Sequence, residues 1–262
     1  MPPVPFVAAA AQRGEPSWDD APAVRGSFLD FDVPSRALHG TVAARIWSPA
    51  GADGVALPLL VVHDGRAYDE QASLTRYSAA MIAGGSLPRH RVALIDAADR
   101  NEWYSASAAY ARSLCDDVLP ALREAAPAAG RTVGMGSSLG ALAMLHAQRR
   151  RPGAFGGLFL QSGSFFVPRF DRHESSFARY QRIVRLVREI RRPGAGADPA
   201  RIVLTCGREE ENLHNNRVVA QALLVGGSSA VLYEVQGAHD WASWRGALQP
   251  HLTELLSALW RR

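Results

Sequence analysis

A serine, a carboxylate and a histidine met in that chain order can turn a hydroxyl into a nucleophile, and this chain offers candidates for each. The serine is Ser138, at the centre of Gly136-Ser137-Ser138-Leu139-Gly140. Ser138 and not Ser137 fits the G-x-S-x-G frame, in which a strained strand-to-helix turn pushes the hydroxyl outward. The residues two before and two after must then be small, and Gly136 and Gly140 supply that clearance against strand and helix. A serine hydroxyl is a weak nucleophile, so it needs a base within hydrogen-bond reach that is itself held by an acid. His239 follows the last apolar run and is the expected base. His39 and His90 read as loop residues, His146 and His251 as helix residues, and His173 and His214 as parts of polar segments. His63 ends an apolar run but precedes the serine, which breaks the order. Glu209, Glu210 and Glu211 are consecutive where the acid is expected; the sequence leaves open which turns inward, and Glu210 is the preferred one. Asp240 adjoins the base and cannot easily fold back onto its ring. The oxyanion formed in acyl transfer needs two fixed donors. The Leu139 amide is one; the Asp64-Gly65-Arg66 loop is expected to give the other, with Gly65 allowing close approach. The Arg66 amide is the favoured donor, its side chain then free to face the cleft.

These residues need a scaffold, and the apolar runs provide one. Gly26 to Asp32 and Thr41 to Trp47 alternate as an antiparallel pair. Six runs follow: Pro58 to His63, Arg91 to Ile95, Arg131 to Gly134, Phe155 to Gln161, Arg201 to Cys206 and Ala230 to Val235. Helical segments sit among them at Glu70 to Ala83, Ser105 to Ala126, Leu139 to Arg150, Leu213 to Val225 and Trp244 to Trp260. Apolar strands alternating with helices imply an α/β fold with a mostly parallel sheet covered on both faces. With the elbow and the serine–acid–histidine order, the expectation is an α/β-hydrolase fold with an N-terminal antiparallel hairpin. The polar clusters fall at the carboxyl ends of the strands, where such sheets place their sites. We expect one domain over residues 1–262, with 1–24 as an arm and 165–199 as a helical insertion over the cleft.

Composition narrows the class further. The chain has 262 residues, 47% of them hydrophobic and 21% charged, ordinary for a globular protein with a sizeable core. The basic residues behind the formal charge of +4 are all arginine, the chain having no lysine, with no basic and aromatic tract of the kind that binds nucleic acid. Cys115 and Cys206 lie in different expected elements, which argues against a disulfide framework. The N-terminus lacks a basic region before its short apolar run, and Pro2, Pro3 and Pro5 interrupt it, so it makes a poor signal peptide. No run approaches the roughly 20 apolar residues that span a bilayer, and a cytoplasmic location is expected.

Several motifs together resemble a known family. RTVGMGSSLGALAML followed by FGGLFLQSGSFF is similar to the elbow and following strand of the enterochelin esterases, within the esterase D-like hydrolases. GAHDWASWRGALQPHL resembles their ending around the catalytic histidine, VALIDAADRNEWY their strand end with an arginine and aromatic turn. VVHDGRAY resembles their oxyanion loop and CGREEENLHNN their acidic loop. The resemblance covers about residues 40 to 260. It implies hydrolysis of the ester linkages of a catecholate siderophore, with Ser138 as nucleophile, His239 as base and Glu210 at the acidic position. Arg100 falls where family members direct an arginine toward catecholate oxygens; the plainer reading is an ion pair with Glu102. The chain shows no counterpart of the additional N-terminal domain of the larger members, and some members manage with a serine–histidine pair, which would make Glu210 dispensable.

Arg179, Arg182, Arg185 and Arg188 recur every three residues, as a solvated helix face or as a lid edge drawing in an anion. Trp241 and Trp244 near the base suit stacking on aromatic rings, or packing of the final helix, the latter favoured for Trp244. The expected reaction passes through an acyl-enzyme, without metal or cofactor, on a small-molecule ester that includes a ferric siderophore among the possibilities. A general carboxylesterase, an S-formylglutathione hydrolase-like thioesterase, an acyltransferase and a catalytically silent ligand-binding relative are the alternatives. A basic, aromatic cleft would favour the siderophore and a narrow apolar one short acyl chains. A histidine base predicts a rate that rises with pH as the imidazole loses its charge.

Overall fold

The computed structural model describes residues 7–8, 18–194 and 196–261. Nine strands form one sheet: β1 (Val7–Ala8), β2 (Gly26–Ser35), β3 (Gly40–Pro49), β4 (Leu59–His63), β5 (Arg91–Asp96), β6 (Val133–Ser137), β7 (Gly157–Gln161), β8 (Arg201–Gly207) and β9 (Ala230–Val235). Their order is β1-β9-β8-β7-β6-β4-β5-β3-β2. The six apolar runs became the parallel strands β4 to β9, and the β2–β3 hairpin adds antiparallel to β5. The α/β class and its N-terminal antiparallel pair therefore stand as the sequence indicates. From β4 the chain goes out to β5, then returns to the other side of β4 as β6. In open sheets of this kind ligands bind beyond the carboxyl ends of the strands.

Residues alternate along the central strands between two cores. Leu59 and Val61 of β4 join the core under α3 (Arg100–Tyr104), α4 (Ala108–Arg112), α5 (Leu119–Ala125), α6 (Leu139–Arg150), α7 (Tyr180–Ile190) and α8 (Leu213–Val225). Leu60 and Val62 join the other, under α1 (Gly65–Ala72), α2 (Leu74–Ala83), α9 (Trp241–Gly246) and α10 (Thr253–Trp260). Burial on both faces is what lets the strands be continuously apolar.

Three of the expected helices are broken. The first starts earlier, at Gly65, and breaks at Ser73, whose φ is 52°; Asp69 Oδ1 accepts from the Thr75 amide (2.9 Å) and hydroxyl (2.5 Å), capping the restart. The second is preceded by α3 and divides into α4, a π-helical turn over Ser113–Val118, and α5. The last divides into α9, a π-helical turn over Leu248–Leu252, and α10. Pro250 has no amide hydrogen to continue that helix and pushes Gln249 to extended backbone, φ −119° and ψ 124°. The stretch 165–199 holds a short 3-10 turn at His173–Ser176 and α7. Most of the expected N-terminal arm lies outside the described residues. Within them Val7–Ala8 pairs parallel with β9, and Trp18 is buried edge-on to Tyr77. Among the described residues no helix is long and apolar enough to cross a membrane.

Candidate active site

The turn between β6 and α6 has the geometry its sequence predicts. Ser138 sits at φ 53° and ψ −121°, a conformation that costs a non-glycine residue about 1–3 kcal/mol. Its amide donates to Gln161 O (2.9 Å), and its carbonyl accepts from the amides of Leu142 (3.2 Å) and Ser164 (3.1 Å). A Cβ at Gly136 would lie 2.6 Å from the Gly140 carbonyl carbon, so strand and helix meet there with no room for a side chain. At Gly140 the crowding comes from the end of β4, with His63 Cβ at 3.1 Å and Asp64 Oδ2 at 3.3 Å. Leu139 opens α6, and its amide is one of the first-turn donors that helix geometry leaves free of intrahelical acceptors.

His239 follows β9 and Glu210 follows β8, and the two meet: Nδ1 lies 2.7 Å from Glu210 Oε2. A carboxylate only accepts, so Nδ1 carries the proton and Nε2 is left as the basic nitrogen. Of the three glutamates Glu210 turns inward, with 1% of its side chain exposed, whereas Glu211 is 88% exposed and Glu209 accepts from Gln236 at the surface (2.9 Å). Burial pushes the Glu210 carboxyl up, but the hydrogen bonds from His239, Ser162 and the Gly207 amide outweigh it and hold its pKa below the ordinary glutamate value. Asp240 is used elsewhere, capping α9 by accepting from the Ser243 amide (2.8 Å).

Ser138 and His239 line one cavity of about 490 Å³, with Leu139, Ser164, Phe166 and Phe177 in its wall. The Ser138 hydroxyl is paired with Ser164 Oγ at 3.0 Å rather than with the imidazole. Catalytic hydrogen bonds are often long or unformed until substrate arrives. The His239 side chain is 42% exposed.

Two expectations about arginines are corrected. The Arg66 amide already donates to Asp96 Oδ1 (3.3 Å), and its side chain is not free to face the cleft. Its guanidinium is held by Asp30 (3.0 Å) and Asp96 (3.1 Å), because the hairpin lays β2 beside this loop. Arg100 pairs with Asp64 rather than Glu102, Nε lying 2.9 and 3.0 Å and Nη2 2.8 Å from its carboxylate. Glu102 instead takes Arg179 and Arg182, so half of the arginine row is tied down and Arg185 and Arg188 are exposed. Gly65 does permit a close approach: a Cβ there would be 2.3 Å from Leu94 Cα. Trp241 lies edge-on to Tyr68 (5.1 Å) and Trp244 (4.8 Å) and is not part of the cavity wall.

The remaining histidines have other surroundings. His63 is fully buried, its Nδ1 2.9 Å from Gly140 O and its Nε2 2.9 Å from Tyr110 Oη, with burial pushing its pKa down to about 4. His173 lines the cavity beside Glu174 and Glu211.

Sequence reasoning passed over the segment after β7. Gln161 holds the Ser138 amide, Ser162 donates to Glu210 Oε1 (2.6 Å), Gly163 is clamped by Asn216 (3.0 Å to its amide and 3.0 Å to its carbonyl), and Ser164 meets Ser138. The available signal was a polar run, QSGS, at the end of a wholly apolar strand. Among the described residues no cluster of histidine, cysteine, aspartate and glutamate could hold a metal ion.

Comparison with known proteins places the chain in a family. The family model named Esterase matches residues 35–255. The iron(III) enterobactin esterase of Dickeya dadantii (strain 3937) is 33% identical over 204 residues, covering 73% of this chain and 46% of that protein. The enzyme of the same description from Escherichia coli O6:H1 is 27% identical over 252 residues, covering 94% and 61%. The chain thus spans less than two thirds of the length of these relatives. Among solved structures, the Shigella flexneri enterobactin esterase determined in the presence of enterobactin superposes with a TM-score of 0.78 at 25% identity, covering 95% of this chain and 62% of that one. A ferulic acid esterase shares the fold, with a TM-score of 0.74 over 90% of this chain and 99% of its own, at 16% identity.

Proposed function

This chain belongs to the Esterase family, and from that premise we propose that it is a serine esterase cutting the ester or lactone bonds of a catecholate siderophore through an acyl-enzyme. The observation that carries the proposal is the buried Glu210 carboxylate gripping His239 Nδ1 in a cavity whose wall includes Ser138. In the first half-reaction Ser138 Oγ attacks the ester carbonyl while His239 Nε2 takes its proton. The tetrahedral oxyanion collapses, the C–O bond breaks, and the alkoxide leaves as an alcohol with that proton. In the second, Nε2 deprotonates a water that attacks the acyl carbon, and Ser138 departs reprotonated. Leu139 N donates to the oxyanion. Arg66 N joins it only if the carbonyl displaces the long contact to Asp96.

What the relatives' descriptions say of enterobactin supports the substrate class, and Phe166 and Phe177 in the cavity wall suit catechol rings. The charge of the wall favours a refinement. Asp171, Glu174, Glu209, Glu210 and Glu211 line it with His173 and His239, and among the described lining residues there is no arginine or lysine. A tris-catecholate iron complex is an anion, so this wall favours the iron-free trilactone, or a neutral aryl ester, over the ferric form. The test is kcat/KM on a catecholate trilactone with and without iron, against a short-chain nitrophenyl ester. The iron-free trilactone is expected to be the best of the three. A preference for the short-chain ester over both trilactones would replace the siderophore reading with that of a general carboxylesterase, the second reading that the acidic wall allows.

A further inference from the structure

The group behind the candidate base is more elaborate than one carboxylate needs for burial. Ser162 follows β7 at φ 51°, a left-handed conformation, with its amide donating to Thr205 O (2.7 Å) and its carbonyl accepting from Asn212 Nδ2 (2.9 Å). Its hydroxyl has a single proton and two fixed neighbours. Trp244 Nε1 lies 2.8 Å away and can only donate; Glu210 Oε1 lies 2.6 Å away and, ionised, can only accept. The direction of both bonds follows: the indole N–H points to Ser162 Oγ, and the Ser162 proton points to Glu210. Oε1 also accepts from the Gly207 amide (2.7 Å), which leaves Oε2 turned to His239 Nδ1. Trp244 touches the base a second way, its ring edge-on to the imidazole at 5.2 Å and 81°. Its carbonyl is pinned by Gln161 Nε2 (3.0 Å), whose own backbone oxygen holds the Ser138 amide.

We propose that Ser162 and Trp244 are positioning residues for the reaction: the indole N–H fixes the Ser162 hydroxyl, and that hydroxyl fixes Glu210 so that one oxygen faces His239 and the other is occupied. This rests on the serine–histidine–glutamate reading above. A buried carboxylate with one unoccupied oxygen could swing or take up a proton; two donors on Oε1 prevent both. The nucleophile and the base are also set by the same strand end, since Gln161 holds the Ser138 amide and the Trp244 carbonyl.

The experiment is a mutant cycle on the full chain with nitrophenyl acetate as the probe. Ser138→Ala and His239→Ala are expected to abolish turnover, and survival of turnover in either would overturn the underlying reading. Ser162→Ala and Trp244→Phe, the latter keeping a ring against the imidazole, are each expected to lower kcat by roughly ten- to a hundredfold with KM changed by less than about twofold. In a Glu210→Ala background the same two substitutions are expected to cost less than about twofold, because the group they position is gone. Losses that multiply in that background, or that fall on KM, mean a merely structural role and overturn the proposal. So does a Glu210→Ala variant as active as the parent while Ser138→Ala is inactive, which would leave a serine–histidine pair standing alone. Should Ser162→Ala fail to fold, Ser162→Gly suits the left-handed backbone and is read in the same way.

Discussion

Glu210 faces inward while its neighbours on both sides do not, and the cause is the backbone beneath it. At the end of β8 the Gly207 position is so close to Gly237 that a Cβ would lie 2.2 Å from the Gly237 carbonyl oxygen. That contact lets the chain turn under itself, with the Glu210 amide donating to Gly207 O (3.2 Å) and the Glu209 amide to Gly237 O (3.2 Å). The turn sends one glutamate into the interior and two to water. Substituting Glu210→Gln is therefore expected to lower kcat by on the order of a hundredfold, while Glu209→Gln and Glu211→Gln stay within about twofold of the parent. Steady-state kinetics on the same ester decides it, and equal losses at Glu209 or Glu211 would sink the assignment of the acid. The elbow was legible in the sequence because its rule is local: Gly136 and Gly140 flank a serine between a strand and a helix. The choice among three glutamates was not, because it is made by Gly237 arriving from the end of the neighbouring strand β9. The link between Ser162 and Trp244 was illegible for the same reason, the two being eighty-two residues apart and joined by one indole hydrogen bond.

At the scale of elements, the site depends on how closely α1 is drawn to the sheet. Gly65 lets the loop after β4 lie against β5, where an added methyl would sit 2.3 Å from Leu94 Cα and 2.7 Å from the Ile95 amide nitrogen. Those are backbone atoms of a central strand and cannot step aside. Gly65→Ala is expected to destabilise the fold by at least about 1–3 kcal/mol, read as a lowered urea midpoint. Gly246→Ala, at a position with nothing within 4 Å and in a helix, is the control, expected to be neutral or to stabilise by up to about 1 kcal/mol. If the two behave alike, close approach is not what requires glycine at position 65. The central strands β4 to β8 were legible because burial on both faces makes each an apolar run, and the hairpin strands because they alternate. The helix breaks were less so. Pro250 marks one in plain view, but the Ser73 break depends on an Asp69 carboxylate reaching forward to Thr75, and an apolar period does not register that.

Across the whole molecule, arginines near the site are paired with carboxylates while others, Arg185 and Arg188 among them, face water. Asp30 serves Arg45 and Arg66, Asp64 serves Arg100, Glu102 serves Arg179 and Arg182, and Glu234 serves Arg217, so the formal charge of +4 says little about the cavity. Histidine tells more about stability. His63, His90, His146 and His251 are buried, and burial pushes each from the ordinary 6.5 down to about 4. In the unfolded chain they take up protons as the pH falls through 6.5, whereas in the fold they stay neutral until about 4. The unfolded state thus binds more protons throughout that window, and stability falls as pH falls, each histidine adding up to about 1.4 kcal/mol per pH unit. Glu210 acts in the same direction at the acid end: its depressed pKa contributes stability that is present above the ordinary glutamate value of 4.5 and lost as pH drops through its folded value. Urea midpoints measured from pH 8 down to 4.5 are expected to be nearly level above about 7 and then to drop steeply, with unfolding in buffer alone before pH 4. A midpoint that holds level from pH 6.5 to 4.5 would mean that these histidines are protonated inside the fold, and that the two cores flanking the sheet are wetter than their packing allows.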